Sequence, residues 1–457
     1  MKKIYVLTVA LWIGCSNITF AQTGNNDNKH ITVTNKNGKQ EDIDIPEGMN
    51  VDLDSLIQQY NIKTYLKPDT TCHSTDVNPT FSQDVYIDRL KKLPTIIEMP
   101  YNDVVQKFID RYSGDLRHSV SYMLGASNFY MPIFEQALET YDLPLELKYL
   151  PVIESALNPR AVSRVGATGL WQFMINTAKR YGLEVNSLVD ERCDPVKASY
   201  AAAHYLSDLY KIFDDWNLVI AAYNCGIDKV NKAIHRTKGS ADYWNIYPNL
   251  PKETQGYVPA FIAANYIMNY YCDHNICPML TELPVRTDTV VVNQNIHFEQ
   301  IAGVLGINID ELRDLNPQYR TDMIDGYSEP SSIRLPSNLI GSFIDKEDSI
   351  VKYKADELLV KRDVVNVNEE TVSSAHHHHY RSAASNSSSR KSSRYSRSRR
   401  SKSNHSNKKK PSKNVTIKDG DTLSEIAERN HTTVKKLKKL NNINGNTIHK
   451  GKKIKIK

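Results

Sequence analysis

The chain has 457 residues, of which 40% are hydrophobic and 24% charged, so it has the material for two to four packed domains and is not disordered as a whole. Its net charge of +6 is unevenly spread: residues 380–457 hold 23 Lys and Arg against 4 Asp and Glu, a net of +19, which leaves the preceding body at −13. A basic tail on an acidic body suits an anionic surface.

The N-terminus opens with Lys2 and Lys3, an apolar run from Ile4 to Gly14, and a small-residue exit at Ala21. This pattern predicts a signal peptide over 1–21 and an exported, periplasmic protein, and export argues against nucleic acid as a partner. Cys15 resembles a lipid-attachment site poorly, because Trp12 stands where a small or aliphatic residue is preferred. Lipidation, with outer-membrane association, is therefore not favoured. No later run is long and apolar enough for a transmembrane helix. Cleavage leaves five cysteines, and Cys272 and Cys277 flank a short loop suited to a bridge. No cysteine spacing suggests a metal site, and no cofactor is implied.

Residues 22–84 form a polar, weakly patterned segment. Within it, Asn37-Gly38 lies between Ile31/Val33 and Ile43/Ile45, which predicts a small hairpin. Helical spacing begins near Val85 and continues to about Tyr271. Asp194-Pro195 reads as an N-cap with proline at the first helical position, Gly226 as a helix stop, and Pro251-Lys252-Glu253 as another helix start.

Glu154 stands in an apolar run, YLPVIESALNP. On one continuous helix, Leu147, Leu150 and Leu157 share its face, where a carboxylate is costly unless paired or neutral. Two readings stand at this point: a structural acid with a buried partner, or an acid whose surroundings raise its pKa. Pro151 must begin or bend that helix. Further on come the blocks Gly166 to Met174, Ala221 to Gly226 and Glu253 to Pro259, each with polar groups at a helix end. Asp190, Glu191 and Asp194, the nearest other acids, read as loop and cap groups.

After Thr281 the chain repeats itself at an offset of 125 residues: Ile301, Ala302, Ile309, Leu312, Leu315 and Asn316 fall on Ile426, Ala427, Val434, Leu437, Leu440 and Asn441. Each copy reads strand, helix, helix, strand. Thr422 to Glu425 predicts a capping box in the second copy, where His297 replaces the threonine in the first. Between the copies, a Ser-, Arg- and Lys-rich stretch from about 371 cannot form a core. Its run His376 to His379 is best read as linker composition.

The second copy, with DGDTLSEIA, VKKLKKLNNI and GKKIKIK, resembles a LysM module, and the first resembles a degenerate one. The resemblance implies contact with N-acetylglucosamine-containing polymer. The blocks around Glu154 resemble, in order and spacing, those of the lytic transglycosylases: Glu154-Ser155, then Ser163, Gly169 to Gln172, Ala222 to Gly226, and Glu253 to Val258. Cys225 departs from the alanine or serine usual there. The resemblance implies a mainly α catalytic domain of the lysozyme-like, goose-type fold, followed by small βααβ modules. It implies cleavage of peptidoglycan glycan strands with formation of a 1,6-anhydro ring, Glu154 acting alone as acid and base. Ser163, Gln172, Tyr223, Asn224, Tyr257 and Glu253 are the implied substrate-binding residues. A hydrolytic muramidase on the same fold and a non-catalytic wall-binding scaffold are the alternatives. The expected organisation is a catalytic domain over 85–280 with its core at 143–271, a degenerate module at 286–337, a linker at 338–412 and a second module at 413–457.

Overall fold

The structure, a computed structural model, describes residues 30–34, 38–50, 66–72, 77–281, 283–284, 286–359, 414–416, 426–427, 434–441, 443 and 452–455. The predicted signal peptide, Cys15, the basic linker and the Thr422 capping box lie outside the described residues. The chain divides into two compact units, residues 1–385 and 386–457.

The larger unit is built around one helix, Lys252–Tyr270, buried without a break from Thr254 to Met268. A helix apolar on all sides must be wrapped. The helices Asp103–Ser113, Trp216–Cys225 and Leu150–Ser155 pack against it. Pro259 lies inside this helix and has no N–H to give the carbonyl of Gln255. The buried hydroxyl of Tyr243 reaches that carbonyl at 3.0 Å. The long helices Arg117–Thr140 and Pro195–Phe213 pack together alongside. The predicted Asp194 cap is present, its carboxylate accepting from Val196 and Lys197 N–H at 2.8 and 2.9 Å. Gly226 ends its helix at φ 86°.

The predicted hairpin is also present, His30–Thr34 paired antiparallel with Gln40–Asp44. It is not a separate polar segment. Val33, Ile43, Ile45 and Met49 are buried in the same core as the helices. Gly256 makes this docking possible, since a Cβ there would stand 2.5 Å from the carbonyl oxygen of Asp44. The disulfide joins Cys72 to Cys277, not Cys272 to Cys277, and Cys272 is exposed and free. The expectation rested on nearness in sequence. The bridge instead ties the N-terminal segment to the end of the helical region, where Leu66–Pro68 pairs antiparallel with Met279–Thr281.

The first repeat copy has the predicted order. Thr287–Val292 pairs antiparallel with Ser331–Pro336, and the helices Phe298–Leu305 and Ile309–Leu315 lie between. His297 does cap the first helix, accepting from Glu299 N–H while Gln300 returns the bond, so the box survives the loss of threonine. The expected boundary at 337 falls short. The helix Ile340–Lys352 adds Phe343 and Ile350 to the module's core, and Gln300 donates to the carbonyls of Val351 and Tyr353.

In the second unit, Asn414–Thr416 pairs antiparallel with Lys453–Lys455, and Ile426, Ala427, Leu437 and Ile454 form the core. The repeat is exact at one polar position. Asn316 donates to the carbonyls of Leu312 and Arg334 and accepts from Arg334 N–H. Asn441 makes the same three bonds with Leu437 and Lys455. Each asparagine pins a helix end to the closing strand.

Candidate active site

Glu154 sits at the end of a six-residue helix, Leu150–Ser155, with Pro151 in its first turn, where a missing N–H costs nothing. The helix stops there because Ala156 and Leu157 both take left-handed φ, 50° and 60°. Such strain in non-glycine residues gathers at functional positions. The continuous helix of the sequence reading is thereby corrected. Leu147 precedes this helix in a 3-10 turn and Leu157 follows it, yet all three leucines are fully buried. Their burial was legible; the single helical face was not. Ser155 secures the turn, its hydroxyl 3.0 Å from the carbonyls of both Pro151 and Leu170.

The opposite lip is the loop from Ala161 to Phe173. Thr168 and Phe173 exchange backbone hydrogen bonds at 3.1 Å, and Ser163 N–H reaches Ala167 at 2.8 Å. Ser163 Oγ accepts from Val165 and Ala167 N–H, which leaves its proton to donate. Gln172, at φ 48°, gives its amide hydrogens to the carbonyls of Ala161 and Gly169 at 3.2 and 2.7 Å. Its side-chain oxygen remains as an acceptor.

Two helices supply the rest. Tyr223 and Asn224 lie in the last turn of Trp216–Cys225, and Tyr223 donates to the carbonyl of Trp171 at 2.8 Å. Glu253 and Tyr257, four apart, share a face of Lys252–Tyr270. Asn224 is held at both ends: Thr254 donates to its oxygen at 2.7 Å, and its nitrogen reaches Glu253 at 3.4 Å. Tyr257 donates its hydroxyl to Glu154.

All seven residues line one cleft of about 670 Å³. Burial pushes the Glu154 carboxyl up to about 8, against the Tyr257 hydrogen bond, which favours the charged form. The charges of Glu253 and Glu47 push the same way as burial. At neutral pH Glu154 is therefore a protonated acid facing a solvent-filled cleft. Asp190 and Asp194 are caps, as read from the sequence, and neither lines the cleft.

Sequence reasoning missed one wall. Asp44, Glu47 and Asn50 of the N-terminal segment line the same cleft, and Glu47 faces Arg164 of the opposite loop at 3.5 Å. Gly48 brings this wall in, because a Cβ there would stand 2.5 Å from the Ile153 carbonyl oxygen, one residue before Glu154. The alternating ITVT and DIDI strands signalled a face to bury, but no motif marked Glu47.

Comparison with known proteins finds three families along the chain. Residues 131–246 match the transglycosylase SLT domain, 286–352 the LysM-like domain of lytic transglycosylase MltD, and 415–457 the LysM domain. The first match ends before Glu253 and Tyr257, which the fold brings into the cleft. Membrane-bound lytic murein transglycosylase D of Escherichia coli K12 is 27% identical over 365 residues, 78% of this chain and 70% of that protein. Membrane-bound lytic murein transglycosylase F of Pseudoalteromonas translucida is 35% identical over 161 residues, 31% of this chain and 33% of that one. The solved 70 kDa soluble lytic transglycosylase of Escherichia coli is 27% identical, covers 32% of this chain and 25% of its own, and gives a TM-score of 0.28. These domains in this order, with a relative matched over most of both chains, make the chain similar to the lytic murein transglycosylases.

Proposed function

We propose that this protein cleaves the β-1,4 bond between N-acetylmuramic acid and N-acetylglucosamine in peptidoglycan, closing a 1,6-anhydro ring on the muramic acid. Glu154 protonates the bridging oxygen as its bond to C1 breaks. The resulting carboxylate then takes the proton of the same sugar's C6 hydroxyl, whose oxygen bonds to C1. The acid is restored and no water is consumed. Tyr223 and Tyr257 shape the pocket around the positive charge developing at C1. Ser163, Gln172 and Asn224 hold the sugar and its N-acetyl group, and Glu253 orients Asn224.

The observation that carries this reading is the placement of the Glu154 carboxyl in the cleft beside the hydroxyl of Tyr257, where burial pushes it up to about 8. Hydrolysis is the second reading, because Glu47 and Glu253 also line the cleft and a muramidase needs a second carboxylate. The test is mass spectrometry of fragments released from purified peptidoglycan by the wild type, Glu154→Gln, Glu47→Gln and Glu253→Gln. Transglycosylation gives products about 18 Da lighter than the hydrolytic ones, lost only with Glu154→Gln. Reducing-end products lost with Glu47→Gln or Glu253→Gln as well would make the enzyme a hydrolase. No release by any form, with binding to the wall retained, would leave a scaffold.

The same reading puts the protein outside the cytoplasm, in line with Lys2, Lys3 and the apolar run after them. Among the described residues, no helix is long and apolar enough to cross a membrane. The LysM module at 413–457 and the basic stretch before it would hold the chain on the wall, through glycan contact and through charge.

A further inference from the structure

The first repeat module is docked on the catalytic domain at a buried carboxylate. Asp190 and Arg192 are nearly inaccessible, each side chain 4% exposed. Arg192 grips Asp190 with two bonds of 2.8 Å. Arg320, from the module, reaches the same carboxylate at 2.6 Å. Backbone bonds flank this contact. Asp190 N–H donates to Gln318, and Arg320 N–H to Leu188, both at 2.8 Å, and Val189 pairs antiparallel with Tyr319. Arg160 adds a bond of 2.8 Å to the carbonyl of Arg313.

The remaining donor of Arg192 points the other way. Its Nη1 gives bonds of 3.0 and 3.1 Å to the carbonyls of Gly166 and Phe173. These carbonyls lie within the loop that carries Ser163 and Gln172 into the cleft. The fit leaves no slack, since a Cβ on Gly169 would stand 1.8 Å from the Arg192 carbonyl oxygen. An unbroken chain of bonds thus runs from Arg320 through Asp190 and Arg192 to the cleft loop.

We infer that Arg320 is a positioning residue for the reaction: the first repeat module braces the cleft loop through Asp190 and Arg192, in addition to any part it plays in holding the wall. Asp190 is shared by two guanidinium groups. Removing Arg320 takes one of two guanidinium donors from Asp190 Oδ2, leaves Arg192 as its side-chain partner, and lets the Asp190–Arg192 pair shift with the loop it holds. A small misplacement of groups that grip the substrate lowers the rate of the chemical step more than it lowers binding.

The inference rests on the proposed function only for its kinetic half. The test uses the full chain with Arg320→Met and Arg320→Lys, compared by thermal melting, amide hydrogen exchange and turnover on purified glycan strands. Arg320→Met is expected to speed exchange within residues 161–173, and to lower kcat roughly ten-fold with KM nearly constant. Arg320→Lys, which keeps one charged donor, is expected to recover most of both. Exchange in 161–173 equal to wild type in Arg320→Met would overturn the inference, as would a changed exchange rate with unchanged kcat. A wild type without turnover would sink the proposed function instead, and the exchange data would still decide the brace. Should Arg320→Met fail to melt cooperatively, Arg320→Gln, which keeps a neutral donor, takes its place: faster exchange within 161–173 with a lowered kcat is expected, and wild-type exchange there overturns the inference.

Discussion

Glu154 carries opposite demands on chemistry and stability. Its carboxyl is raised to about 8, chiefly by burial, from an ordinary value of 4.5. Between these values the folded state holds a proton that the unfolded state has released. Stability therefore falls as pH rises from about 4.5 to about 8, and the group has no effect below that window, where both states are protonated. Glu154→Gln should remove the penalty. We expect a gain of roughly 1–3 kcal/mol at pH 8 that disappears by pH 4, read from melts across pH, together with loss of turnover. A glutamine variant less stable than wild type at pH 8 would mean that Glu154 is held by its partners and not strained by burial. In the wild type, kcat/KM should decline as pH rises through about 8, as the acid loses its proton. The functional glutamate was legible as an outlier, one carboxylate in an apolar run. The upward direction of its shift was one of the two readings the apolar run left open, and burial decides it; the opposing Tyr257 bond and the charges of Glu253 and Glu47 were not legible, because they arrive from distant parts of the chain.

At the scale of elements, the cleft depends on a close approach that only glycine permits. Gly48 is buried against the helix that presents Glu154. Gly48→Ala must push the N-terminal wall away from Ile153, at an expected cost of about 1–3 kcal/mol, with turnover reduced because Glu47 and Asn50 withdraw from the cleft. Thermal melting and glycan turnover check both parts, and wild-type values in each would show that the wall yields freely. Helix starts and stops were readable from Asp194-Pro195, Gly226 and Pro251, since capping chemistry is local. The break after Ser155 was not. It depends on two residues in left-handed conformation that carry no glycine signature.

Across the whole molecule, the Cys72–Cys277 bridge joins positions 205 residues apart. Cross-links over long loops remove much entropy from the unfolded chain. Cys277→Ser should lower stability by about 2–4 kcal/mol while leaving the cleft intact, which melts with and without reductant would measure. Peptide mapping under non-reducing conditions should find Cys72 and Cys277 in one fragment pair. A fragment pairing Cys272 with Cys277 would restore the reading from sequence spacing.

The sequence alone determined what is local or periodic. The hairpin, the helix caps, the repeat at 125 residues with its paired asparagines, and the motif blocks around Glu154 all lie within short windows, where turn, capping and burial patterns act. The tertiary structure decided which distant segments meet. It folded the polar N-terminal stretch into a wall of the cleft and chose the cysteine pair. It set Arg320 of the first repeat module against Asp190. Such contacts arise from the packing of faces brought together over a hundred residues or more. A contact of that kind leaves no signature in either segment read by itself.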